Sequence, residues 1–196
     1  MVRSRFLSSL GLILAVGLVA SLRAQEQPKP GDHPTVYTSK KCGFRIHIPA
    51  GWVLIPFAEA DEVQNGCGFR LQRRDRAQQI KLDHDQDLYS ITVATVDQDL
   101  AAAAETGLFA KEEGKWVVKG RMDMSSPAEE ISSDKWVGLR GVATVGCERV
   151  HGGAPPELCE IPRAVLNNRG SRSAIFYGAP RSGEVFAQVL KEFEFL

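Results

Sequence analysis

The residues best suited to chemistry form a short acidic stretch in the middle of the chain. Asp83, Asp85 and Asp87 stand at alternating positions, with His84 between the first two. Loops that bind Ca²⁺ begin in this way, because alternate carboxylates bring their oxygens together around a hard cation. The three aspartates are therefore the candidate metal ligands of this protein.

Later positions depart from the calcium pattern. Leu88 stands where the sharp turn needs glycine, and Ala94 offers no oxygen where a bidentate glutamate belongs. His84 could join the carboxylates around zinc, but no second histidine lies at ligand spacing. A polar turn between two strands explains the same residues. We therefore expect no cofactor, with a calcium or zinc site as the alternative.

Motifs for catalysis are sparse. Neither a G-x-S-x-G elbow nor a G-x-x-x-x-G-K-[ST] phosphate loop occurs. Ser132 and Lys135 satisfy S-x-x-K, but the S-D-N and K-T-G motifs that accompany it in penicillin-binding enzymes are missing. His151 lies in a glycine-rich stretch near Glu148 and Glu157, where it could act as a general base. We expect a protein that is not an enzyme, and a small hydrolase that uses His151 is a weaker alternative.

Positive charge gathers around the second predicted strand. The candidate partner-binding residues are Arg45, Arg70, Arg73 and Arg74. If the strand of Arg70 pairs with that of Arg45, these side chains share one solvent-facing surface with His47. Such a surface could dock an acidic protein partner or anionic headgroups. A solvated sheet face explains the same charges.

The overall charge argues against a nucleic-acid binder. The chain has 196 residues and a formal net charge of zero, with 24 basic and 24 acidic residues. Arg3, Arg5 and Arg23 lie in the first 24 residues, which leaves 21 basic against 24 acidic residues in the rest. Nucleic-acid binders normally carry a basic surface. The length suits one domain.

The first 24 residues are typical of a secretory leader. Arg3 and Arg5 precede an apolar run over residues 10–20. Cleavage after Ala24 is favoured, with Ser21 as the alternative site. The run is short against the ~20 residues of a spanning helix, so we expect no stable membrane insertion after cleavage. The sequence thus predicts an exported protein, periplasmic or secreted, with a proline-rich flexible linker over residues 25–35.

Four cysteines follow the predicted leader, and we expect two structural disulfides. The cysteines are Cys42, Cys67, Cys147 and Cys159. An even set in an exported chain favours disulfides, and four cysteines allow three pairings. We favour Cys42 with Cys67, because both begin a C-G-F-R sequence. Cys147 with Cys159 is favoured because two strand-like segments flank the G-G-A-P-P stretch between them. No C-x-x-C occurs, which argues against a thioredoxin-like redox role.

The strand that organises the domain lies at residues 43–52, with the sequence G-F-R-I-H-I-P-A-G-W. Phe44, Ile46 and Ile48 alternate with polar residues, which predicts one buried and one exposed face. Pro49 should end the strand because it has no N–H to donate. Trp52 should then close one end of the core. In the next strand, Phe69 and Leu71 should point inward, with Arg70 and Gln72 outward.

The middle of the chain is predicted to contain a strand and then a helix. The strand covers residues 89–96. Asp97 or Asp99 should cap a helix that runs to about Glu113 and stops at Gly114.

The last third is predicted to contain more strands and a final helix. Residues 123–134 are predicted to form a polar connector, and residues 136–147 are predicted to form the longest strand. Pro162 should place its strand at an edge or bulge, and residues 174–177 should form a central strand. Ser182 should cap a helix with an apolar stripe. The stripe residues are Val185, Phe186, Val189 and Leu190.

This order of elements resembles the PsbP/DcrB-type superfamily. The similarity lies in the G-F-x-I-x-I-P-x-G-W strand, a middle helix, a Trp-Gly-Leu-rich strand and a final amphipathic helix that leads into an alternating Phe strand. The group includes photosystem PsbP-type subunits, periplasmic DcrB-type lipoproteins and a yeast Ran-binding factor. The resemblance implies an α+β fold over residues 36–196, with helices packed on an antiparallel sheet in an α/β/α sandwich. It also implies a non-enzymatic accessory or binding role.

Overall fold

The computed structural model describes residues 35–57, 67–74, 89–121, 124–144 and 159–196. These residues contain twelve strands and two helices. The strands are β1 (Thr35–Ser39), β2 (Phe44–Ile48), β3 (Trp52–Pro56), β4 (Gly68–Arg73), β5 (Ile91–Val96), β6 (Phe109–Glu112), β7 (Lys115–Lys119), β8 (Ser125–Ser132), β9 (Val137–Thr144), β10 (Glu160–Asn167), β11 (Ser173–Gly178) and β12 (Phe193–Phe195). The helices are α1 (Leu100–Thr106) and α2 (Gly183–Glu192).

The strands form two sheets in which every neighbouring pair is antiparallel. A small sheet has the order β1-β2-β12, and a large sheet has the order β3-β4-β5-β11-β10-β9-β8-β7-β6. Antiparallel sheets with two helices confirm the predicted α+β class. The predicted single sheet is instead divided in two, and the α/β/α layering stays a prediction.

The organising strand β2 has the predicted alternation and belongs to the first core cluster. Its three apolar side chains are buried, and the two intervening polar residues are exposed. Phe44 lies 5.2 Å, between ring centroids, from Phe69 on β4. Phe193 of β12 meets Phe176 of β11 at the same centroid distance. Aromatic contacts therefore hold the small sheet against the large one.

The apolar stripe of α2 enters the same cluster. Phe186, Val189 and Leu190 are buried, and Val185 packs against them. The predicted stripe is confirmed. Ser182 occupies the predicted cap position, but its hydroxyl donates to the carbonyl of Ala179 at 2.7 Å and makes no cap bond.

A second core cluster lies under α1. Ala103 and Ala104 of the helix are fully buried with Val165 of β10 and Ile175 of β11. Ile175 stands next to Phe176, which belongs to the first cluster. Successive residues of a strand point to opposite faces, so β11 has apolar contacts on both sides, as expected for a central strand.

The predicted middle helix is too long. Asp99 caps α1 as expected, since its side chain accepts from the Ala102 N–H at 2.9 Å. The helix ends at Thr106, and the residues after Leu108 form the β6–β7 hairpin. Leu108 has a φ of 67°, a left-handed conformation that a helix does not continue through. Beyond Gly107 the β6–β7 hairpin outweighs the helix propensity of the alanine run.

Three other local expectations are wrong. Residues 125–132 of the predicted polar connector form β8, which pairs with β7 and β9. Pro162 lies in β10, a strand with neighbours on both sides. Its ladder to β11 begins one residue later, at Arg163, so the missing N–H of Pro162 interrupts no bond to β11. Gln72, expected to face solvent, is only 4% exposed.

Candidate functional site

A cleft opens beside the turn that joins β2 to β3, with a volume of about 360 Å³. We call it the cationic cleft. Its lining residues are Ala50, Gly51, Trp52, Arg73, Tyr89, Arg181, Glu184 and Val185.

The G-W turn of the organising strand builds one wall of the cleft. Pro49 accepts a bond from the Trp52 N–H at 3.1 Å, which closes the turn. Gly51 lies at a φ of 78°, a left-handed conformation that glycine adopts without strain. The Gly51 carbonyl accepts from the Arg74 N–H at 2.9 Å, which ties the turn to the end of β4. Trp52 is 9% exposed and joins the first core cluster, as predicted.

Tyr89 stands between two guanidinium groups. The Arg73 guanidinium carbon lies 5.3 Å from the centre of the Tyr89 ring. Arg181 donates from one terminal nitrogen to the Tyr89 hydroxyl at 3.3 Å. A guanidinium within about 6 Å of a ring is attracted to its electron-rich face. The tyrosine therefore helps to hold both cations at the cleft.

The described lining residues are of kinds that can bind an anion. Among the described lining residues, Arg73 and Arg181 are cations and Glu184 is an anion. The eight lining residues named above include no histidine, cysteine, serine or lysine. Guanidinium groups bind carboxylates through paired N–H donors. An aromatic wall from Tyr89 and Trp52 would contact an apolar portion of the same ligand.

The four candidate partner-binding arginines do not form a single patch. Arg45 lies on β2 in the small sheet and Arg70 on β4 in the large sheet, so the pairing that would align them is not formed. Arg73 points to the other face of β4 from Arg70 and lines the cleft. Arg74 follows at the end of the strand. Whether any of them binds a partner stays a prediction.

Arg45 forms an ion pair within the protein, with Glu194. Its Nε donates to the Glu194 carboxylate at 2.8 Å, and Lys135 bonds the other oxygen of the same carboxylate. These two cations hold the pKa of Glu194 below its ordinary value. Lys135, the lysine of the S-x-x-K sequence, is thereby directed to Glu194. His47 lies with its Nδ1 3.6 Å from the Glu192 carboxylate.

The predicted metal ligands and the candidate base stay predictions. Asp83, Asp85 and Asp87 lie outside the described residues, and so does His151. Within the described ranges, no group of three or more His, Cys, Asp or Glu residues could hold a metal ion.

The predicted disulfide between Cys42 and Cys67 is present, with the two Cα atoms 5.2 Å apart. Cys159 is also disulfide-bonded. Cys147, its predicted partner, lies outside the described residues.

Sequence reasoning missed two members of the cleft. Tyr89 packs against the first core cluster as well as lining the cleft. No motif marks Arg181. Arg73 and Arg181 are 108 positions apart in the sequence. The distance between these two arginines along the chain left no local signal for the site.

Comparisons with known proteins concern the fold. No family model matches the chain, and no curated protein does. The chain is similar to the solution structure of cyanobacterial PsbP (CyanoP) from Synechocystis sp. PCC 6803, with 13% sequence identity and a TM-score of 0.48. The likeness covers 95% of this chain and 99% of that chain.

Across the described residues, no helix has both the length and the apolar character needed to cross a membrane.

Proposed function

We propose that the protein is an exported, non-enzymatic binding or accessory protein of the cell envelope or extracellular space, and that the cationic cleft receives a carboxylate of its ligand. The observation that carries the proposal is the placement of Arg73 and Arg181 around Tyr89. Two convergent guanidinium groups provide charge and directed donors, and the rings provide apolar contact.

The exported location is supported by two features. Residues 1–24 have the composition of a secretory leader. The Cys42–Cys67 disulfide is of the kind that persists in oxidising compartments. Neither feature identifies the ligand, so the test uses a simple carboxylate.

The full chain, expressed with its own leader in a Gram-negative bacterium, should be recovered from the periplasm or medium with the leader removed. The purified protein is then titrated with sodium benzoate while its melting temperature is followed. Because a ligand that binds the native state stabilises it by mass action, we expect the melting temperature to rise with benzoate concentration. Arg181→Gln should reduce this rise, since it removes a donor from the exposed rim of the cleft.

Arg140→Gln is the matched control, because Arg140 is an exposed arginine that pairs with Glu129 away from the cleft. This variant should respond to benzoate like the unmodified protein. An equal response of all three proteins, or no response from any of them, contradicts the carboxylate site. Recovery of the chain at full mass in the cytoplasm contradicts export.

A further inference from the structure

Four side chains form a row across the large sheet, on the face that carries Ile175. Arg70 of β4 is opposite Thr92 of β5, which is opposite Tyr177 of β11, which in turn is opposite Arg163 of β10. Residues directly opposite one another in antiparallel strands share a face, with neighbouring Cβ atoms about 5 Å apart. We call these four residues the cross-strand row.

One end of the row is a half-buried arginine. The guanidinium carbon of Arg163 lies 4.5 Å from the centre of the Tyr177 ring. Its Nε is buried and has no hydrogen-bond partner. Burial lowers the pKa of Arg163 below its ordinary value, which shows that the charge is partly removed from water without full compensation.

Tyr177 is itself held in place. Its hydroxyl donates to the carbonyl of Thr106 at the end of α1, at 3.0 Å. The ring on which Arg163 rests is therefore anchored from the helix. Arg163 is thus held in position before any ligand arrives, which lowers the entropy lost on binding.

The other end of the row is the exposed Arg70. Within the described part of the chain, neither Arg70 nor Arg163 forms an ion pair. Other arginines differ in this respect: Arg45, Arg140 and Arg172 each pair with a carboxylate. The cross-strand row therefore presents two cations whose charge no described carboxylate offsets.

We propose that the cross-strand row docks an acidic segment of a partner protein. The two arginine Cα atoms are three strand spacings apart, or about 14 Å. The Cα atoms of acidic residues four positions apart on an extended peptide span about 13 Å, so an acidic segment laid across the strands matches this spacing.

An apolar residue extends the row beyond Arg70. Ile55 on the edge strand β3 is opposite Arg70 and 44% exposed. The surface thus offers an apolar contact next to a cation, which suits a protein segment with both acidic and apolar side chains. This docking face is separate from the cationic cleft, which Arg73 lines from the other side of β4.

The test uses a fluorescein-labelled octaglutamate peptide and fluorescence anisotropy at low salt. We expect octaglutamate to bind and an octaglutamine peptide of equal length not to bind. Arg70→Gln and Arg163→Gln should each weaken octaglutamate binding by about tenfold, because each removes one guanidinium–carboxylate contact. Arg140→Gln, on the opposite face of the same sheet, should leave the affinity unchanged.

Three outcomes would overturn the proposal: no octaglutamate binding, equal binding by all variants, or Arg70-dependent binding of phosphatidylglycerol vesicles without any binding of octaglutamate. Arg70 is exposed, so its variant remains informative even if Arg163→Gln disturbs folding, which circular dichroism would show. The benzoate titration tests the cationic cleft, and the octaglutamate titration tests the cross-strand row. Either proposal can therefore fail while the other holds.

Discussion

Glu194 shows how one carboxylate can connect distant parts of this chain. Its side chain is 20% exposed and accepts bonds from Arg45 of β2 and from Lys135, the residue two before β9. Both cations favour the ionised form, which is why the pKa of Glu194 is lowered. A carboxylate whose pKa is lower in the folded than in the unfolded chain stabilises the fold at any pH above the unfolded-state pKa. This stabilisation is lost as the pH falls through the folded-state pKa.

We predict that Glu194→Gln lowers the melting temperature at pH 7 by about 1–4 °C, because partly exposed ion pairs contribute little. The difference from the unmodified protein should shrink as the pH falls below the ordinary glutamate pKa of about 4.3. Thermal unfolding followed by circular dichroism from pH 7 to pH 3 measures both effects.

Glu130→Gln is the control, since Glu130 is exposed on β8 and has no ion pair with any described residue. Its melting temperature should follow that of the unmodified protein at every pH. A Glu194→Gln difference that stays constant from pH 7 to pH 3 would show that the ionised carboxylate is not the stabilising species.

The β6–β7 hairpin depends on two left-handed residues. Glu112 pairs with Lys115, so Glu113 and Gly114 alone form the loop. Their φ values of 50° and 80° suit a two-residue turn of the type that favours Asn-Gly. Glutamate at the first position is strained, because its Cβ crowds the backbone at positive φ. Glycine at the second position has no Cβ and avoids this strain.

Gly114→Ala should lower the free energy of unfolding by about 1 kcal/mol, because alanine is strained at positive φ. An added Cβ would meet no atom within 4 Å, so backbone strain is the whole effect. Glu113→Asn should raise stability slightly. Urea denaturation of the variants measures both changes.

Gly183→Ala provides the comparison, since Gly183 begins α2 and a Cβ added there would also meet no atom within 4 Å. There alanine should be neutral or stabilising. If Gly114→Ala matched Gly183→Ala, the left-handed turn would not limit stability.

The whole molecule is joined by the disulfide between Cys42 and Cys67. Cys42 lies just before β2 of the small sheet, and Cys67 just before β4 of the large sheet. The bond therefore links the two sheets covalently, next to the contact between Phe44 and Phe69. It closes a loop with a sequence separation of 25 residues.

Replacing both cysteines, in the Cys42→Ala/Cys67→Ala variant, should lower the free energy of unfolding by about 3–4 kcal/mol in the chain-entropy model. Urea denaturation without reductant measures the change. Cys147 and Cys159 remain in this variant, so the difference isolates one bond. An unchanged urea midpoint would mean that the contacts between the sheets alone set the stability.

Local patterns in the sequence were sufficient for much of the fold. The alternation of Phe44, Ile46 and Ile48 predicted β2, because a strand places every second residue on one face. The spacing of Phe186, Val189 and Leu190 predicted the buried side of α2 in the same way. The helix that was predicted beyond Gly107 failed because a β-hairpin and a packed sheet outweighed local helix propensity.

Strand partners and the sites depended on tertiary structure. Arg45 and Arg70 stand in similar C-G-F-R sequences, yet their strands belong to different sheets. Arg73 meets Arg181 at Tyr89, and Arg70 aligns with Arg163, only after distant strands pair. Residue periodicity determines which side of an element is buried, because that depends on near neighbours along the chain. Which elements lie side by side depends on packing between distant segments, and no local pattern encodes that choice.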